Sequence, residues 1–73
     1  MNAKEQIKTA LSEIMPVSKA NACYVFKGYD VGTGRDGWHY IPFGSVAQYL
    51  GKSLDEALEV IEDKAAELLE NKA

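Results

Sequence analysis

Apolar residues recur at helical spacing through residues 53–71. At 100° per residue, Leu54, Ala57, Leu58, Ile61, Ala65, Leu68 and Leu69 fall within one arc of roughly 120°, which predicts a long amphipathic helix packed on a core. Its start is marked as well. Ser53 is placed to accept from the backbone N–H of Glu56, and the Glu56 carboxylate to reach back to the N–H of Ser53, a capping box. The opposite arc, roughly 140° wide, carries Asp55, Glu56, Glu59, Glu62, Asp63, Glu67 and Glu70, broken only by Ala66. That acidic arc is expected to stay in water.

Residues 2–14 read as a second amphipathic helix, with Asn2 as N-cap, Glu5 in the first turn, and Ala3, Ile7, Ala10, Leu11 and Ile14 on one face. Pro16 disfavours helical geometry at Met15 and ends it, and residues 16–21 read as a connection. Residues 22–31 and 38–43 have the β-branched and aromatic content of strands, and with the turn-rich link 32–37 they predict a hairpin. Alternation in the second strand separates Trp38 and Tyr40 from Ile41 and Phe43. The aliphatic Ile41 points to the second set as the core face and turns Trp38 and Tyr40 outward. The register of the first strand stays open between Tyr24/Phe26 and Cys23/Val25 as partners of that set. Pro42 must end its strand, bulge it or lie on an edge.

Residues 44–52 carry two conflicting signals. Val46, Gln48 and Leu50 alternate like a third strand, whereas Ser45 with Gln48 forms a possible capping box and Gly51 stands where a helix would close. The local punctuation favours a short helix. The expected fold is α+β: an N-terminal helix, a β-hairpin, a short helix or third strand, and the long C-terminal helix.

The chain of 73 residues is expected to form a single domain over residues 1–73. At this size about 60% of the unfolded surface is buried, which leaves room for one thin core and argues against a deep catalytic cleft. Hydrophobic residues make up 47% and charged residues 26%, and no apolar run reaches the length of a membrane span. The first residues lack the apolar stretch of a secretory signal. A single cysteine forms no internal disulfide and suits a reducing cytoplasm. The net charge of −3 is divided: residues 1–52 hold six basic and four acidic side chains, residues 53–73 two and seven. The acidic balance argues against a general nucleic-acid binder, which needs a basic stripe.

Three patterns bear on chemistry. Gly32-x-Gly34-x-x-Gly37 has the spacing of a phosphate loop but leads into a strand rather than a helix N-terminus, and is read as a turn whose glycines supply positive φ. Val46-Ala47-Gln48-Tyr49-Leu50-Gly51-Lys52-Ser53, with Ala57 and Leu58 beyond, resembles the helix-turn-helix of DNA-binding domains. The second helix would present Leu54, Asp55, Glu56 and Glu59 to phosphates, which repel them, so a structural version without DNA contact is expected. Cys23 and His39 could meet on neighbouring strands, but nothing supplies a lowered thiol pKa or an oxyanion site, and one Cys with one His falls short of a metal site. Dispersed helix carboxylates do not make a calcium cage. No catalytic residue, metal or cofactor is implied.

Two surfaces remain as candidates. One is the acidic arc of the C-terminal helix. The other is the hairpin surface of Lys27, Arg35, Trp38, His39 and Tyr40, rich in the residue types that anchor interfaces. The expected function is a non-catalytic cytoplasmic module, of adaptor or inhibitor type, binding a protein partner. The alternative is a nucleic-acid module whose hairpin aromatics stack on bases, and a small enzyme subunit comes third. A second copy of the chain, joined at the strand edge or an apolar surface, is a further candidate partner.

Overall fold

The computed structural model describes residues 2–42 and 44–72. Helix α1 (Ala3–Leu11) is followed by α2 (Val17–Ala22), strands β1 (Tyr24–Asp30), β2 (Arg35–Ile41) and β3 (Gln48–Gly51), and helix α3 (Leu54–Lys72). The strands form one antiparallel sheet in the order β1-β2-β3. The helices lie on one face of it, and together they make the α+β arrangement expected. Among the described residues no helix is long and apolar enough to cross a membrane.

Both long helices start as the sequence indicates. The Glu5 N–H donates to Asn2 Oδ1 at 2.9 Å, and the Glu56 N–H donates to Ser53 Oγ at 3.2 Å. The return arm of the second cap differs by one residue, because Glu56 Oε2 accepts from the N–H of Lys52 rather than Ser53. Helix α1 stops at Leu11, and its last turn tightens as Glu13 and Ile14 donate to the carbonyls three residues back. The segment expected as a plain connection contains α2. The first helix ends at Leu11, short of the expected residue 14, and Pro16 opens the second, since the N–H it lacks would be unpaired at a helix start anyway.

The third element is a strand, not the short helix favoured by its punctuation. Ser45 donates its N–H to the Pro42 carbonyl in a turn, and Gly51 pairs with Trp38 instead of capping a helix. This also removes the helix-turn-helix resemblance. Tertiary pairing overrides local propensity here, because the second edge of β2 is otherwise unpaired. Close backbone approach makes it possible: a Cβ at Gly37, whose φ is 147°, would sit 2.4 Å from the Gly51 carbonyl oxygen.

The core contains Ile7, Leu11, Ala20, Cys23, Val25, Trp38, Tyr40, Leu50, Ala57 and Ile61. Trp38 and Tyr40 are therefore inward, only 8% and 6% exposed, which corrects their expected outward placement. The helices bring small side chains such as Ala20 and Ala57 to this layer, and the large rings of β2 fill the space. Ile41 pairs with Tyr24 on the opposite face and is only half-buried, so it does not mark the core side. The matching expectation for Phe43 lies outside the described residues.

Helix α3 is about 28 Å long at 1.5 Å per residue and outruns the sheet. Ala57 and Ile61 are fully buried, whereas Leu68 and Leu69 are exposed despite lying on the same arc. Replacing Ile61 with Ala should cost about 2–4 kcal/mol in denaturant unfolding, and Glu59→Ala under about 0.5. Gly37→Ala should cost about 3 kcal/mol or more, because strained φ and backbone overlap act together. A Gly37→Ala protein as stable as the parent would contradict the β2–β3 pairing.

Candidate functional site

The hairpin register pairs Tyr24 with Ile41, Phe26 with His39 and Asp30 with Arg35. These side chains share the face opposite the helices, since the alternating residues Val25, Trp38 and Tyr40 belong to the core. Pairing of Tyr49 with His39 adds a ring from β3. The result is a continuous row across the uncovered face. Tyr24 and Phe26 stack at 5.7 Å between ring centroids, Phe26 and His39 at 4.9 Å with planes 5° apart, and Tyr49 meets His39 edge-on at 5.3 Å. Arg35 closes the row, with its guanidinium carbon 5.2 Å from the Tyr49 ring centre.

His39 is fully buried although no helix covers it. Its neighbours in the row enclose the ring, and both nitrogens are hydrogen-bonded. Nδ1 lies 3.0 Å from the Gly37 carbonyl, which can only accept, so Nδ1 carries a proton in this arrangement. In the neutral ring Nε2 is then the acceptor for the Thr33 hydroxyl at 2.7 Å. Thr33 is held in turn by the loop: its N–H donates to Asp30 Oδ2 at 2.9 Å, and its Oγ1 accepts from the Arg35 N–H at 3.3 Å. Gly34, at φ 67°, donates its N–H to the Asp30 carbonyl at 2.8 Å and reverses the chain. Among the described residues no buried side-chain nitrogen or oxygen lacks a partner.

The hairpin surface expected from the sequence is thus divided between two faces. Arg35 and His39 join the aromatic row. Trp38 and Tyr40 lie in the core, and Lys27 is on their side of the sheet with its ammonium 6.0 Å from the Trp38 ring centre. Tyr24, Phe26, Tyr49 and Thr33 were not singled out by the sequence. The signal for the first two was the alternation Tyr24/Phe26, and Tyr49 was hidden by reading its segment as helix. The acidic side chains Asp55, Glu56, Glu59, Glu62, Asp63, Glu67 and Glu70 are all exposed. Glu56 sits at the junction with β3, where its carboxylate accepts from the Lys52 N–H, and the others lie away from the buried Ala57/Ile61 stripe, on the side of α3 turned from the sheet.

Cys23 does not meet His39. Its thiol belongs to the helix-side core, donates to the Lys19 carbonyl at 3.3 Å and lies 3.7 Å from Met15 Sδ. Burial raises its pKa above the ordinary 9.0, against a smaller lowering by the Lys8 charge, and this disfavours the nucleophilic thiolate. Burial likewise raises Tyr40, with the nearby Cys23 adding to it. Among the described residues no three metal-ligating side chains converge.

Raised acid groups of this kind set an alkaline limit. Well below the ordinary thiol value of 9.0 both are neutral in either state, so they leave stability unchanged there. Above the ordinary values of 9.0 and 10.0 the unfolded chain releases protons that the folded one retains, and stability falls with rising pH. Denaturant midpoints should therefore decline from about pH 9 upward, less so in Cys23→Ala. At neutral pH a thiol reagent should modify Cys23 far more slowly in the folded protein than in urea. For the loop, Thr33→Val should cost about 1–3 kcal/mol by leaving Nε2 unpaired, and Thr33→Ser should recover most of it. Equal midpoints for the valine and serine variants would remove Thr33 from the support of His39.

Compared with protein-family models, curated proteins and solved structures, the chain matches none, and its functional reading rests on this geometry.

Proposed function

We propose that this domain is a non-catalytic cytoplasmic interaction module that binds a protein partner on the open face of its sheet. The observation carrying the reading is the uncovered row Tyr24, Phe26, His39, Tyr49 with Arg35 at its end. Tyrosine and arginine are enriched in interface cores, where they combine large contact area with polar ends. Stacking and the Thr33 hydrogen bond hold the rings in place before any partner arrives, which lowers the ordering cost of binding.

Protein is favoured over nucleic acid by the way the rings are used. Phe26 stacks on both Tyr24 and His39, so ring faces that a base would need are spent within the row. Charge agrees, since Arg35 is the one cation placed in the row and the chain is acidic as a whole. The acidic side of α3 is kept as a solubilising face directed away from the site.

A photo-crosslinking residue at position 24 or 49 tests the proposal in lysate of the native host, with position 63 on the acidic face as control. The same protein should be captured from 24 and 49 and not from 63, and Tyr49→Ala should weaken that complex about thirtyfold. Capture from 63 alone would transfer the site to the acidic helix. A nuclease-sensitive adduct would favour the nucleic-acid reading, and an adduct at twice the 8.0 kDa of the chain would indicate a second copy.

A further inference from the structure

We infer that the free edge of β1 takes up an extended peptide segment as a fourth strand, and that the segment alternates acidic side chains with apolar or aromatic ones. The inference rests on the open-face reading and names the chemistry of its partner. Among the described residues the order is β1-β2-β3, which leaves the outer edge of β1 without a strand partner, and its seven residues contain no proline and pair with β2 without interruption. Such an edge presents a row of backbone donors and acceptors to another chain. The other edge is less suited. Strand β3 has four residues, its pairing shifts by a bulge, and its end is packed under the first turn of α3, where a Cβ at Gly51 would lie 2.7 Å from Glu56 Cβ.

Charge selects the occupant. A groove between α1 and the start of β1 has Lys4, Glu5, Lys8, Cys23 and Tyr24 among its lining residues, and Lys27 stands exposed farther along the strand. In the groove two lysines stand against one glutamate, and Lys27 adds a cation on β1. Asp30, the carboxylate of that strand, is turned to the open face and engaged by the Thr33 N–H, so this side is positive on a chain of net charge −3. Lys8 uses one of its three donors on the Asn21 carbonyl at 3.3 Å, leaving two. A second copy is a poor fit, because two-fold pairing of β1 with itself would bring these lysines against their own copies, while the concentrated carboxylates of the chain lie on helix α3. An added strand alternates between faces. Its helix-side residues would meet the lysines, and its open-side residues would extend the row beyond Tyr24 and Phe26.

The full chain, labelled with nitrogen-15, is titrated with a seven-residue peptide alternating valine and glutamate, and with its valine–lysine counterpart. The glutamate peptide should shift the amides of residues 24–30 and slow their hydrogen exchange, and the lysine peptide should bind at least tenfold more weakly. Lys4→Glu with Lys27→Glu, both exposed, should reverse that preference while leaving the denaturant midpoint nearly unchanged. Equal binding of the two peptides, shifts confined to residues 48–51, or no shift in β1 at millimolar peptide would overturn the inference. Tyr49→Ala separates the two proposals, since Tyr49 is two strands from this edge. It should retain the peptide while losing the crosslinked protein. Failure of the peptide with capture from positions 24 and 49 intact sinks only the strand addition, and the reverse outcome sinks only the open-face reading.

Discussion

The backbones of β2, β3 and the first turn of α3 come together through two missing side chains. A Cβ at Gly37 would overlap the Gly51 carbonyl, and one at Gly51 would overlap Glu56. A four-residue strand has little stability of its own, so β3 depends on being held from both sides in this way. Its two functions follow from that position. Leu50 enters the core beside Trp38 and Tyr40, and Tyr49 is turned to the other face against His39. Glu56 sits at the same junction and ties the Lys52 N–H to the helix start. Loosening the contact would therefore disturb core, aromatic row and helix cap together.

Strand β2 is buried on both faces from Gly37 to Tyr40, although only one face has helices on it. Among the described residues no helix covers the second face, and the cover there is made from the strands' own rings. His39 shows what that costs. A polar ring without access to water must have both nitrogens partnered, and the Thr33 hydroxyl and Gly37 carbonyl meet the requirement at 2.7 and 3.0 Å. The turn at residues 31–34 thus does more than reverse the chain, since it carries the group that makes a buried histidine tolerable.

The starts of α1 and α3 and the existence of the hairpin turn were legible because their causes are local, whereas the end of α1 and the presence of α2 were not. Asn2 and Ser53 cap as their spacing implies, and the chain reverses at Gly34 within the expected link, although the turn is shorter than 32–37 because Arg35, Asp36 and Gly37 already belong to β2. Face and pairing were less legible because their causes are distant. In β2 both alternating sets contain bulky apolar or aromatic residues, so periodicity alone could not choose between Trp38/Tyr40 and Ile41. The choice was made by packing against the helices, where Trp38 and Tyr40 join Ile7, Leu11, Ala20, Ala57 and Ile61 in one core. Residues 48–51 bore helix punctuation and strand alternation at once, and the unpaired edge of β2 decided between them. Along α3 the apolar periodicity continues past Ala65, but there Leu68 and Leu69 border an open groove against Ile14, Met15 and Pro16 instead of a closed core, and both stay exposed. Gly37 illustrates the same limit, since its need for glycine comes from Gly51, fourteen residues away in sequence.

Stability and binding overlap unevenly along the aromatic row. His39 is fully enclosed and Phe26 stacks on it, so these two serve first as the second cover of β2. Tyr24 is 61% exposed at the free edge and Arg35 is exposed above Tyr49, so a partner meets these groups without unpacking the sheet. The row is thus graded, from a centre that the fold requires to ends that the fold can spare. Binding energy is concentrated where anchors are held rigidly and water is excluded around them. An enclosed centre fixing two accessible ends supplies that rigidity within 73 residues. The acidic arc of α3 lacks such support beyond Glu56, which is tied to the Lys52 N–H, because its other carboxylates stand exposed along a single helix. That difference in preorganisation, more than residue type, favours the sheet face over the acidic helix as the binding surface.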